Sequence, residues 1–286
     1  MKKYCVLYNP HANNETGEEE AKKLSALYGE ENLEYVDVTG IVDYKSKLAE
    51  IPEEQGIILC GGDGTLNRFA NEGGADLKRE VLYYSTGSGN DFLRDLGMEK
   101  GCEPFAINDF MKDLPTVTVN GEERYFINGV GYGIDGYCCE VADQLRGKTT
   151  KPINYTGIAI KGLLFHYKPT NAVVTIDGKE YNFKKVWIAP TMNGVYYGGG
   201  MMPTPKQDRL NVERKVSTMI FHGSGKLKTL MIFPSLFKGE HVKKEKNVIV
   251  FEGKEVTVKF DRPVALQIDG ETVLGVPEYT VKTKKI

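Results

Sequence analysis

Ile57-Ile58-Leu59-Cys60-Gly61-Gly62-Asp63-Gly64-Thr65-Leu66-Asn67 is the stretch on which the reading of this chain turns. A short apolar run predicts a buried strand, and Leu66, Phe69 and Ala70 have the spacing of one helical face behind it. Between them lie three glycines and an aspartate. Glycine accepts φ > 0 and lets another backbone or a ligand come close. A helix that starts there aims unpaired N–H groups and a partial positive charge at the gap, which suits phosphate. A strand-to-helix turn without a ligand has the same composition, so the flanking sequence has to decide. No Gly-Lys-Ser/Thr follows, as a Walker loop would require, and the dinucleotide fingerprint is absent.

On both sides of this turn, strand and helix patterns alternate. Residues 4–8 read as a buried strand closed by Asn9-Pro10, and Asn9 to Asn13 make a polar turn. Thr16 and Glu19 have capping-box spacing, and Ala21, Leu24 and Tyr28 mark one face of the helix after them. A second strand over 33–38 ends at Thr39-Gly40, before a helix carrying Ile41, Tyr44 and Leu48. Val81-Leu82-Tyr83-Tyr84 is a fourth strand. Ser85-Thr86-Gly87-Ser88-Gly89-Asn90-Asp91 is a second glycine-rich turn, opening a helix at Phe92 for which Asp91 is a candidate N-cap. This alternation predicts an α/β domain with a doubly wound parallel sheet over residues 1–115. Ligands of such sheets sit outside the carboxyl ends of the strands, and all four predicted exits carry polar turns with Gly or Asn.

The texture changes after Pro115. Thr116-Val117-Thr118-Val119 alternates and runs into the hairpin signal Asn120-Gly121; residues 172–176 run into Asp177-Gly178, and 181–190 follow. Residues 248–251, 256–260 and 265–268 are further short strands. A second, β-rich domain over 116–277, a β-sandwich, is expected, interrupted by helices at 137–145, 155–166 and 226–238. Residues 278–286 are expected to return as a last strand of the first domain.

Composition narrows the function classes. A net charge of −2 argues against general nucleic-acid binding, and no apolar run approaches the roughly 18–20 residues that span a bilayer. The start, from Met1, is basic but meets Asn9-Pro10 too early for a secretory signal. The five cysteines show no metal spacing and suit reduced thiols in the cytoplasm. His11, His166, His222 and His241 are scattered and read as surface or structural residues.

The ordered elements resemble the diacylglycerol kinase catalytic family, which is related to sphingosine kinases and bacterial lipid kinases and, more distantly, to NAD kinases. Asn9-Pro10 is similar to its opening turn, and Gly61-Gly62-Asp63-Gly64-Thr65 to its signature. Thr86-Gly87-Ser88-Gly89-Asn90-Asp91-Phe92 resembles its Gly-Thr-x-Asn-Asp-Phe element. Asn193-Gly194 with Gly198-Gly199-Gly200-Met201 resembles its mid-domain element, and Asp269-Gly270-Glu271 its late Asp-Gly-Glu. The resemblance implies two domains with the active site in the cleft between them, ATP and Mg²⁺ as co-substrates, and a diacylglycerol-like lipid hydroxyl as acceptor. Asn9, Pro10, His11, Ala12, Asn13, Thr39, residues 61–67 (Gly61, Gly62, Asp63, Gly64, Thr65, Leu66, Asn67) and Thr86 are then expected to line the nucleotide. Asp63 is assigned to Mg²⁺ and Glu271 to the general base, with a hairpin-turn role as the alternative for Glu271. Asp208, with backbone oxygens near Pro205 and Leu210, resembles a structural Mg²⁺ loop, although Arg209 stands where many members have glycine and would add a like charge beside the ion.

The expected partners are ATP and a lipid at a membrane surface, with the protein cytoplasmic and peripheral, no nucleic acid, and the oligomeric state open, a homodimer included. Leu230-Met231-Ile232-Phe233-Pro234-Ser235-Leu236-Phe237, flanked by Lys226, Lys228, Lys238, Lys243, Lys244 and Lys246, suits an anionic surface, or else ordinary core packing. Residues 158–165 beside Lys148, Lys151 and Lys161 are a second such segment. A soluble-substrate kinase of the NAD kinase type and a catalytically silent nucleotide- or lipid-binding regulator are the competing readings.

Overall fold

A computed structural model describes residues 3–87, 89–146, 148 and 153–284, and the chain divides into two compact units, Met1–Leu114 and Pro115–Ile286. Met1, Ser88, Lys151 and Ile286, named above, lie outside the described residues.

The first unit runs β1 (Tyr4–Tyr8), α1 (Ala12–Glu15), α2 (Gly17–Lys22), α3 (Ser25–Tyr28), β2 (Leu33–Asp37), α4 (Tyr44–Glu50), β3 (Gly56–Gly61), α5 (Asp63–Asn71), β4 (Val81–Ser85), α6 (Asp91–Asp95), β5 (Phe105–Ala106) and α7 (Asn108–Met111). Its sheet has the order β2-β1-β3-β4-β5. The first four strands are parallel and β5 is antiparallel to β4. Covered on both faces, β3 is apolar without alternation, and Ile57, Ile58 and Leu59 are fully buried. Ala21 and Leu24 pack with Val6, Ile58 and Cys60, while Tyr44 meets Phe69 edge-on at 6.1 Å. The helix expected after Thr16 is split into α2 and α3. Thr16 does not cap it, because its hydroxyl donates to the Asn13 carbonyl (2.9 Å) and accepts from Asn13 Nδ2 (2.7 Å).

In the second unit come β6 (Thr116–Val119), β7 (Glu122–Tyr125), β8 (Gly129–Tyr132), α8 (Ile134–Arg146), α9 (Tyr155–Lys161), a π-helical segment Gly162–His166, β9 (Thr170–Ile176), β10 (Lys179–Val186), β11 (Thr191–Met192), β12 (Val216–Phe221), α10 (Lys226–Ile232), β13 (Val248–Gly253), β14 (Glu255–Ile268) and β15 (Glu271–Lys282). All three hairpin dipeptides hold φ > 0 at both positions: Asn120 52° and Gly121 86°, Asp177 47° and Gly178 81°, Asp269 47° and Gly270 93°. That is the backbone a two-residue type I′ turn needs. The strands expected at 256–260 and 265–268 are one strand, β14, whose register with β15 shifts between Lys259 and Val264. Pro263, which has no N–H to give, lies in that break. The first half of β14 pairs with β9 and the second with β8, so the sheet turns over itself. Val174, Phe183, Val256 and Val258 from one part share a core with Val130, Ile220, Leu266 and Ile268 from the other, which is a sandwich. The helical segments make a second core of Ile134, Leu163, Trp187, Ile232, Phe233 and Leu236.

The C-terminal strand corrects one expectation. Residues 278–282 do not complete the first sheet. They end β15, which pairs with β14 (Glu255 opposite Lys282) and with β6 (Thr280 opposite Thr118). Val276, Tyr279 and Val281 supply buried side chains to the sandwich, and a strand continuous from the Asp269-Gly270 turn has no chain length with which to leave it. Among the described residues no helix is long and apolar enough to cross a membrane.

Candidate active site

The carboxyl ends of β1, β2, β3 and β4 finish level: Tyr8 lies opposite both Asp37 and Cys60, Cys60 opposite Tyr84, and Gly61 opposite Ser85. The polar turns that follow therefore sit side by side. Asn9 N–H donates to the Cys60 carbonyl (3.3 Å) and its Nδ2 approaches Thr65 Oγ1 (3.4 Å). The N–H groups of Thr86 and Gly87 both donate to the Gly61 carbonyl, at 2.9 and 3.2 Å. The two glycine-rich turns touch backbone to backbone, since a Cβ on Gly87 would lie 2.4 Å from Gly62 Cα. Glycine is required there by the close approach.

Asp63 is the first residue of α5, and its carboxylate accepts from the N–H of Asp91 (2.8 Å) and of Phe92 (3.3 Å). It thus caps α6 from outside that helix, and the capping expected of Asp91 falls to Asp63. Gly62, the N-cap of α5, has no side chain with which to cap that helix. Open space surrounds the position a Cβ on Gly64 would occupy. Thr86 is buried, and among the described residues its hydroxyl has no hydrogen-bond partner. A helix start with no side-chain cap and an orphaned buried hydroxyl are what a bound phosphate would satisfy.

The remaining expected nucleotide residues divide. Asn9 Oδ1 accepts from His11 N–H (3.0 Å), fixing the turn that holds Pro10, Ala12 and Asn13, and His11 itself reaches out to Glu15 (2.6 Å). Thr39 is at the edge, its hydroxyl donating to Asp37 (2.7 Å). Thr65 and Asn67 are buried beside the turn. Leu66 differs: its side chain is in the core and its N–H donates to the Gly62 carbonyl (3.1 Å), which leaves neither for a ligand. Asp37, Tyr83 and Asn90 were not read from the sequence. Asp37 ends β2 beside Tyr8, Tyr83 hydroxyl donates to the Gly61 carbonyl (3.0 Å), and Asn90 Nδ2 donates to that of Gly87 (3.0 Å). Only the position of Asp37 at a strand exit could have marked it beforehand.

In the second unit, Asp269-Gly270 is the turn between β14 and β15. Asp269 carboxylate accepts from three successive amides, Ile127 (2.5 Å), Asn128 (2.8 Å) and Gly129 (3.0 Å). Gln267 Oε1 accepts from Gly270 N–H (2.7 Å). Glu271 follows on the open side, 58% exposed, and pairs with Arg124 (3.2 Å). In the Asp208 loop the side chain also serves the local backbone. Asp208 Oδ1 accepts from Leu210 N–H (2.9 Å), and its carbonyl accepts from Asn211 Nδ2 (2.7 Å). Pro205 packs near Gly239. Arg209 does not stand beside an ion: it turns inward, buried, and donates to the Ile127 carbonyl (3.3 Å) and Asn128 Oδ1 (3.1 Å). Among the described residues no three His, Cys, Asp or Glu side chains gather. The bonds from Leu210 and Asn211 engage one carboxylate oxygen and the main-chain carbonyl of Asp208 within the loop itself.

Both units match known sequence families. The diacylglycerol kinase catalytic domain matches residues 3–119, and the YegS C-terminal NAD kinase beta sandwich-like domain matches residues 128–284, more than half of the chain. The chain belongs to the diacylglycerol kinase family. Among curated relatives of this family, a diacylglycerol kinase of Bacillus subtilis (strain 168) is 23% identical over 282 residues, 95% of this chain and 90% of the relative. A diacylglycerol kinase of Mycobacterium tuberculosis is 26% identical over 231 residues, 77% of this chain and 72% of the relative. The fold is that of a crystal structure of a diacylglycerol kinase from Bacillus anthracis str. Sterne, at a TM-score of 0.60 and 17% identity, covering 99% of this chain and 94% of that one. Membership makes this a lipid kinase-family chain; the first match runs through the first unit and into residues 115–119 of the second, and the second match lies within the second unit.

Proposed function

We propose that the protein is an ATP- and Mg²⁺-dependent lipid kinase that phosphorylates the hydroxyl of a diacylglycerol-like lipid. One observation carries the nucleotide part: four level strand exits bring Asn9, Thr39, residues 61–65 and Thr86 to one edge, around a helix start with no side-chain cap and an orphaned buried hydroxyl. Family membership carries the acceptor class.

Bound MgATP supplies the phosphoryl group and neutralises its charge. The amides at the start of α5 and the Thr86 hydroxyl hold phosphate oxygens, while Gly62 and Gly87 keep the two turns in contact. Asp63, the first residue of α5, is the carboxylate that would hold the Mg²⁺ of the nucleotide. Glu271 takes the proton of the acceptor hydroxyl, and Arg124 orients it.

The test is phosphate transfer from radiolabelled ATP to a lipid panel, with and without Mg²⁺. Labelled product from a diacylglycerol is expected. Folded protein that labels no lipid, or that labels NAD instead, overturns the reading.

A further inference from the structure

Two stretches of this chain hold no acidic residue, one between Asp143 and Asp177 and the other between Glu213 and Glu240. They carry Lys161, Lys168, Lys226, Lys228 and Lys238, although the whole chain has a net charge of −2. Among the described residues none of these five lysines forms an ion pair.

The fold brings the two stretches together. Helix α10 packs on the π-helical segment Gly162–His166, and Lys226 Nζ donates to the Leu164 carbonyl (2.7 Å). The inward side chains, Leu163, Ile232, Phe233 and Leu236, fill the helical core. What is left outside is apolar as well: Phe165 is 72% exposed, Leu227 72% and Met231 74%. Leu227 and Met231 are four residues apart on α10 and so share one face. A single exposed apolar residue needs no explanation. Three large ones on two touching segments, with lysines on and beside both and no ion pair to these lysines among the described residues, have the composition of an interfacial membrane contact.

We propose that α10 and the Gly162–His166 segment are the docking surface for an anionic bilayer. Phe165, Leu227 and Met231 enter the headgroup boundary, and Lys161, Lys168, Lys226 and Lys228 lie against the anionic headgroups. Charge selects this occupant. A second copy of the chain would set lysines against lysines, whereas an anionic lipid surface attracts each of them. The proposal rests on the lipid-kinase reading and says where the bilayer meets the chain.

The experiment is co-sedimentation of the full chain, without nucleotide, with phosphatidylglycerol/phosphatidylcholine vesicles and with phosphatidylcholine alone. Binding is expected to the anionic vesicles only and to weaken in high salt. Lys228→Gln should weaken it about fivefold, and Phe165→Ser with Leu227→Ser and Met231→Ser at least about tenfold. Because all these side chains are exposed, melting temperatures should match wild type; the charge reversals Lys161→Glu and Lys228→Glu are the second arm if the triple serine variant does not. Equal binding to both vesicle types, wild-type binding by both sets of variants, or loss only of self-association in ultracentrifugation would overturn the proposal. Vesicle binding is read without phosphate transfer. A chain that binds but phosphorylates no lipid therefore refutes the kinase reading while leaving the surface standing, and one that phosphorylates a dispersed short-chain diacylglycerol without binding vesicles does the reverse.

Discussion

Replacing Asp269 by alanine tests whether the Asp-Gly-Glu element is held together by its first residue. The carboxylate accepts from the amides of Ile127, Asn128 and Gly129 at 2.5, 2.8 and 3.0 Å. Hydrogen bonds to a charged group contribute roughly 1.5–3 kcal/mol each, but three on one carboxylate are not additive, and water can replace part of them at a half-buried site. Asp269 already carries a Cβ at φ 47°, so alanine adds no new clash there and loses only the local hydrogen bonding that lets aspartate tolerate that backbone. Together these give a loss of about 3 kcal/mol, or roughly 6–12 °C in melting temperature for a domain of this size. Asp269→Asn keeps one acceptor oxygen and tolerates the left-handed backbone, so it should lose about half as much. The assay is thermal unfolding by circular dichroism, run beside phosphate transfer, with the three amides followed by NMR. An alanine variant that melts within about 2 °C of wild type would refute the anchoring. So would an asparagine variant that keeps full stability but loses all transfer, because that result assigns Asp269 to the chemistry.

Other perturbations separate fold from function. Gly87→Ala places a Cβ 2.4 Å from Gly62 Cα and should cost several kcal/mol in unfolding and abolish transfer; wild-type melting would show that the turns are not in contact. Gly64→Ala meets nothing within 4 Å and should stabilise α5 by up to about 1 kcal/mol while raising KM for ATP at least tenfold; an unchanged KM removes phosphate from that helix start. Glu271→Gln should shift unfolding by less than about 1 kcal/mol, its ion pair being exposed, yet lower kcat at least a hundredfold with nucleotide binding intact; wild-type turnover would remove its base role. Burial raises the Asp135 carboxyl from 3.8 to about 7, with the Tyr197 hydroxyl donating to it, and burial with Asp135 beside it lifts Tyr197 well above an ordinary phenol. The folded chain therefore keeps a proton that the unfolded chain has lost, so this site's stabilisation is complete below about pH 4 and is lost as pH rises towards 7. Asp135→Asn should gain on wild type over that window and stay ahead above it, measured as urea midpoints at pH 5 and 8; an equal difference at both pH values refutes the linkage.

The first unit was legible because its strands are apolar without interruption and its turns are rich in glycine. β1, β3 and β4 fall within a residue of the expected bounds, since a doubly covered strand has no polar face to blur the signal. The second unit was legible at its hairpins and less so between them. Asn120-Gly121, Asp177-Gly178 and Asp269-Gly270 advertise backbones that few other dipeptides adopt. Strand β8, Gly129-Val130-Gly131-Tyr132, was missed because its glycines read as loop; they are there because Met192 and Asp135 crowd the positions a Cβ would take. Strand β12 was missed with all six residues buried, Ser217 and Thr218 included, so it shows no alternation. The C-terminal strand went to the wrong domain because pairing partners are not written in a strand's own pattern. Residue types suggested the site; the long-range bonds at its aspartates did not show, because they join residues 28 to 142 positions apart.

Those bonds change what a loss of activity would mean. Asp63 and Asp269, the acidic residues of the two most recognisable motifs, are both acceptors of backbone amides, the first at the start of α6 and the second at the loop entering β8. Removing either frees buried donors and moves a glycine-rich turn, so each variant would lose turnover whether or not its carboxylate ever meets a metal or a proton. Among the described residues Glu271 has no such second duty: its ion pair with Arg124 is exposed, and its backbone pairing with Ile268 does not depend on its side chain. A chemical role is therefore separable from a structural one at Glu271 by activity alone. At Asp63 it is separable only by the metal dependence that remains after the lost stability has been measured.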